Sequence, residues 1–174
     1  MRRRALAIVS ALTLAVVALL MVPRGPRIAP TLALPLLGGG KVLIGRAQHA
    51  PILLVFWSVM CTPCLKQVPI VVRAWRTLHP LGVDVVAVDL KADPISVVRQ
   101  FAHTALPYPV ALDPEGRAAA AFHLRSIPHA ILIGPGGRIL FDRAGAFRVF
   151  TLRRDILKWR TQHTSTTGAH HALD

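Results

Sequence analysis

Hydrophobic positions fall into three regimes along the chain. Residues 5–22 form one uninterrupted apolar run, polar only at Ser10 and Thr13. Arg2-Arg3-Arg4 precede it and Pro23-Arg24-Gly25-Pro26-Arg27 stop it. As a helix the run would span about 27 Å, enough to cross a bilayer. A basic stretch before an apolar one suits either a cleaved leader or a retained anchor. No small-x-small cleavage site follows Val22 and prolines crowd its place, so residues 1–27 are expected to be a retained signal anchor. The arginines in front favour a cytoplasmic N-terminus, with the rest of the chain on the far side.

The second regime, residues 28–160, alternates short apolar runs with amphipathic stretches. Residues 30–40 read as an irregular lead-in, with Gly38-Gly39-Gly40 a turn before a short strand at 41–44. Residues 51–57 are wholly apolar, the pattern of a central strand covered on both faces. A helix follows over 62–78, with Pro69 inside it, and a second apolar strand runs over 83–89. Strand, helix and strand in this order imply parallel pairing with a right-handed crossover. Asp93-Pro94 predicts a helix capped by Asp93 and running to about residue 104. Pro107-Tyr108-Pro109 interrupts the chain before a short strand at 110–112. Asp113-Pro114 predicts another helix, through Ala118 to Phe122. A strand at 129–133, a turn at Gly134-Pro135-Gly136-Gly137 and a strand at 138–141 read as a hairpin. A final amphipathic helix is expected over about 151–160. The third regime, 161–174, is polar and expected to be disordered. The whole predicts one α/β domain, a central mixed sheet flanked by helices, with no internal repeat.

Charge changes this picture little. The net charge is +13, but from Thr31 onward 16 Lys and Arg stand against 8 Asp and Glu. The basic residues are scattered and not interleaved with aromatics, which argues for solvated faces beside an anionic membrane and against a nucleic-acid partner.

Chemistry enters at Cys61-Thr62-Pro63-Cys64, directly after the central apolar run. These are the only cysteines in 174 residues. Outside the cytoplasm disulfides persist, yet a structural disulfide stabilises mainly by closing a long loop, and this pair closes almost none. A helix N-terminus lowers a thiol pKa, because its free N–H groups favour the thiolate. The pair therefore reads as a working redox couple with no cofactor. Cys61, at the helix start, is the expected nucleophile, and Cys64, one turn in, resolves the mixed disulfide. Pro63 stiffens the loop where the helix can spare a donor. The competing reading is a copper or other metal-binding module built on Cys61 and Cys64, although no third ligand stands at useful spacing and His163, His170 and His171 lie in the tail. A peroxidase is disfavoured because no Thr-x-x-Cys context surrounds Cys61.

The element order, Phe56-Trp57 ahead of the Cys pair, Cys61-Thr62-Pro63-Cys64, Pro69 and Ile127-Pro128 before a strand and a Gly-rich hairpin together resemble the thioredoxin fold. With the N-terminal anchor and the stretch 101–122, including Tyr108-Pro109-Val110-Ala111-Leu112-Asp113, the chain resembles the exported TlpA/ResA/DsbE group of thiol–disulfide oxidoreductases over about residues 31–160. The resemblance implies a cis peptide at Ile127-Pro128 opposite Cys61. It also implies backbone contacts from Ile127 to an extended substrate, and Trp57 packed beside the site. It implies disulfides of exported proteins as substrates, apocytochrome c among the family's clients, and a membrane thiol protein as electron donor. Pro63 leans towards a reductant, as in thioredoxin at about −270 mV. Three positions depart from the family. Val55 stands where thioredoxins carry a buried Asp, Met60 where many relatives have Trp, and Gln67 where ResA-like proteins carry a Glu. Lys66 reads as a solvated helix residue, and the His129 side chain should point away from the Pro128 face.

Overall fold

The computed structural model describes residues 27–46, 48–90 and 93–167, with side chains through 162. The apolar run of the proposed anchor lies outside them, as do residues 168–174. Among the described residues no helix is long and apolar enough to cross a membrane.

Among the described residues seven strands and four α-helices follow in chain order: β1 Leu32–Pro35, β2 Lys41–Ile44, β3 Ile52–Trp57, α1 Thr62–Leu78, β4 Asp84–Leu90, α2 Ile95–Ala105, β5 Val110–Asp113, α3 Arg117–Ala121, β6 His129–Ile133, β7 Ile139–Ala144 and α4 Val149–Thr167. Five of the strands make one mixed sheet in the order β5-β4-β3-β6-β7. β3 is parallel to β4 and antiparallel to β6. Every residue of β3 is buried, because both neighbours and both faces are covered. Alternation along the strands splits the core in two. Leu53, Val55 and Trp57 face α1, α2 and α4 through Val71, Val98, Leu152 and Ile156. Leu54 and Phe56 face Phe122, just past α3, together with the N-terminal lead-in.

That lead-in is where the fold departs most from expectation. Residues 32–35 are strand β1, paired antiparallel with β2 across the Gly38-Gly39-Gly40 turn. The segment docks on both edges of the main sheet. Ala29 donates to the Gly137 carbonyl at 2.8 Å beside β7, and Leu37 donates to the Val110 carbonyl at 2.8 Å beside β5. Covering sheet edges removes open pairing sites, and this long-range gain decides the conformation of a stretch whose local signals are those of a loop. The turn between β6 and β7 is a 3-10 turn over Pro135–Gly137, and Gly137 is required there. Its φ is +80°, and a Cβ would stand 2.9 Å from the Gly45 carbonyl carbon.

Both expected helix caps are displaced. α2 begins at Ile95 with Pro94 at the cap, not Asp93. α3 begins at Arg117 after Gly116, not at Asp113-Pro114. Each Asp has a longer-range partner. Asp93 accepts the Val59 N–H at 2.9 Å, and Asp113 accepts the Ala119 N–H at 3.0 Å. α4 starts at Val149 and runs to Thr167, past the expected end at residue 160. Arg160 donates to the Leu81 carbonyl, tying α4 to the connection after α1.

Candidate redox site

β3 delivers its last residue, Trp57, to the rim of the sheet, and α1 starts five residues later. The bend between them is held locally: Cys61 N–H donates to the Ser58 carbonyl and Met60 N–H to Ser58 Oγ, both at 3.1 Å. Cys61 is the N-cap of α1 in extended conformation, with Pro63 in the first turn. A sulfur thus occupies the place where Ser or Asp usually accepts a first-turn N–H. Cys64 N–H donates to Cys61 Sγ at 3.3 Å. In the reduced protein the same N–H and the helix dipole favour a thiolate on Cys61.

Cys61 and Cys64 are joined in a disulfide, their Cα atoms 5.2 Å apart. Cys61 is half-buried and Cys64 only 3% exposed. An outer sulfur open to a partner and an inner one shielded from it is the arrangement that attack and resolution require. Met60 beside Cys61 is 78% exposed, an apolar side chain on the approach to the sulfur. Lys66 is exposed.

The other expected residues gather around the inner sulfur. The Ile127-Pro128 bond is cis. Pro128, Trp57, Cys64, Gln67 and Tyr108 line one small cavity of about 10 Å³, room for a single water. Trp57 packs on Phe101 at 5.3 Å between ring centroids. Ile127 is half-buried at the turn, and the Pro128 carbonyl accepts Gly145 N–H at 2.7 Å. His129 is directed to the opposite face. Its Nε2 lies 2.6 Å from Asp142 Oδ1, and Arg27 holds the other oxygen at 2.6 Å. Among the described residues no cluster of three His, Cys, Asp or Glu side chains is placed to hold a metal.

Gln67 is buried, and neither Oε1 nor Nε2 has a hydrogen-bond partner. Burial pushes the Tyr108 hydroxyl up from its ordinary value. Asp89 is the functional candidate that the motifs did not reveal. It is the penultimate residue of β4, in a run whose other residues from Val85 to Leu90 are apolar, and pairs in register with Trp57. Burial, then the Asp93 charge and a hydrogen bond to Asp93, raise its pKa to about 7. The available signal was a carboxylate inside the buried run Val85–Leu90.

Fold and dithiol pair together define a thioredoxin-fold protein with a redox-type CxxC at the β3–α1 junction. The AhpC/TSA family profile matches residues 27–141, and the chain belongs to that family. Among curated proteins it is similar to the thiol–disulfide oxidoreductase ResA of Bacillus subtilis, 26% identical over 112 residues, which are 64% of this chain and 63% of that protein. The chain thus spans just under two thirds of that relative's length. Among solved structures it is similar to a proposed thioredoxin from Neisseria meningitidis, with 30% identity and a TM-score of 0.69 over 82% of this chain and 97% of the other. A proposed thiol:disulfide interchange protein DsbE from Chlorobium tepidum has 27% identity and a TM-score of 0.64 over 76% and 95%.

Proposed function

We propose that this protein is a thiol–disulfide oxidoreductase, tethered to the membrane by residues 1–27, that reduces disulfides in exported proteins. The observation that carries the reading is the half-buried Cys61 sulfur at the N-cap of α1, backed by the shielded Cys64. In the reduced protein the Cys61 thiolate attacks one sulfur of a substrate disulfide, and the other substrate sulfur leaves as a thiolate. Cys64 loses its proton and attacks Cys61 Sγ, and the substrate sulfur held there leaves in turn. Two electrons pass to the substrate, and the protein is left with the Cys61–Cys64 disulfide. A membrane thiol protein would return it to the dithiol. Ile127 and cis-Pro128 would bind an extended substrate segment by backbone pairing, with Trp57 as the wall behind the sulfurs and Pro63 as the stiffener of the loop.

Equilibration of the full chain in thiol buffers, read by alkylation, tests the direction. A potential below about −220 mV supports the reductase, and one above about −150 mV makes it an oxidant. Retention in the membrane fraction after alkaline extraction, lost when residues 1–27 are replaced by a cleavable leader, tests the tether.

A further inference from the structure

β3 and β4 end side by side, with Trp57 opposite Asp89. Asp89 is 3% exposed, and its Oδ1 has no hydrogen-bond partner. Asp93, four residues on, acts on Asp89 through its charge and accepts the Val59 N–H through Oδ2 at 2.9 Å. Val59 lies midway between Trp57 and Cys61. Of the bonds that hold this bend, the one from Val59 ends on the carboxylate pair, whereas those from Met60 and Cys61 end on Ser58. Two carboxylates can share a hydrogen bond only when one of them carries a proton.

We propose that Asp89 and Asp93 are positioning residues, a proton-sharing pair that tethers Val59 and so sets the segment leading to Cys61. The consequence for rate rests on the oxidoreductase reading; the tether itself does not. With the proton on Asp89, its O–H donates to Asp93, which accepts from Val59. When that proton leaves, two like charges face each other in a buried place, the shared bond is lost and the hold on Val59 weakens. Burial first and Asp93 second lift Asp89 to about 7, so the change falls within the physiological range. Beside Asp89 in the sheet lie neutral Trp57 on β3 and Leu112 on β5, and the face they share is packed by apolar residues of α1 together with the disulfide-bonded Cys64. Tyr108 on the same face is pushed up by burial and stays neutral over this range. Among the described residues Asp93 is the charged group that acts on Asp89.

The test follows the Val59 amide by NMR in the oxidised full-length chain between about pH 5 and 9. The expected result is a step near pH 7, absent in Asp89→Asn and moved to lower pH in Asp93→Asn. The rate of exchange with a small aromatic disulfide, divided by the Cys61 thiolate fraction, should fall across the same step and be level in Asp89→Asn. An amide with no step, or a step that survives Asp89→Asn, overturns the pair. A step without a change in the corrected rate overturns its role in catalysis. Should Asp89→Asn fail to fold, an unmoved step in Asp93→Asn overturns the proposal. A chain with no exchange activity at all would sink the oxidoreductase reading instead, and the amide titration would still decide on the tether.

Discussion

Asp142 and Asp89 belong to one sheet and titrate in opposite directions. Asp142, on the face closed by the lead-in, is lifted by burial, but hydrogen bonds and charge from His129 and Arg27 outweigh this and hold it below the usual carboxylate value. Asp89, on the redox face, meets burial and another carboxylate, and both raise it. The difference lies in depth and in the sign of the neighbour: burial is the largest influence on the more deeply buried Asp89 and its neighbour is acidic, whereas the neighbours of Asp142 are basic. Around Asp142 the polar groups fasten chain to chain, since Arg27 holds the lead-in against β7. On the redox face Trp57 Nε1, both polar atoms of Gln67 and Asp89 Oδ1 have no partner, and on the Asp142 face His129 Nδ1 has none. An unsatisfied buried group costs about 1–3 kcal/mol, and those of Trp57 and Gln67 border the same cavity as Cys64.

The sharpest break of the comparison comes from one substitution on each face. Cys61→Ser should reduce disulfide exchange to the uncatalysed background with the fold intact by circular dichroism. Turnover in that variant would end the proposed mechanism. On the other face Phe122 meets Phe56 edge-on at 5.7 Å. Phe122→Ala should cost about 3–5 kcal/mol in denaturant unfolding and leave the potential of the Cys pair unchanged. A shifted potential would mean that the two faces are coupled.

The two carboxylates should give opposite pH slopes of stability. Asp89 binds its proton more tightly folded than unfolded, so stability falls as the pH rises from about 4 towards about 7 and then levels off. Asp89→Asn should remove this slope and stabilise the protein more at pH 8 than at pH 4. Asp142 binds its proton less tightly folded, so its contribution is present above the unfolded value of about 3.9 and is lost as the pH falls through the lower folded value. Asp142→Asn should weaken the protein at neutral pH and flatten its acid limb. Thermal unfolding across the pH range separates the two. The smallest effect is expected from Gln67→Leu, which exchanges an unpartnered buried amide for an apolar side chain. It should raise stability by about 1 kcal/mol, and a loss of that size would reveal a partner for the amide.

Legibility tracked the range of the interactions. β3 and α1 were readable because an apolar run and a helical stretch each carry their signal within a few residues, and the Cys pair sits between them. The lead-in misled because Gly38-Gly39-Gly40 and Pro35 are loop signals locally, while the bonds that order it reach Gly137 and Val110. Asp93 and Asp113 misled in the same way. Asp before Pro is a sound capping signal, but each carboxylate found a distant or later N–H instead.

By itself, then, the sequence determined the class of sheet, the strand-to-helix junction and the spacing that puts one sulfur at an N-cap and the other a turn inside. Covalent spacing and helix geometry act over three or four residues and need no partner. Only the tertiary structure decided that Asp93 holds Val59, that Asp89 lies beside Trp57, and that Gln67 and Pro128 border the same cavity as Cys64. Those are through-space contacts between segments far apart in the chain, and the burial and charge that shift a proton exist only once the segments have met.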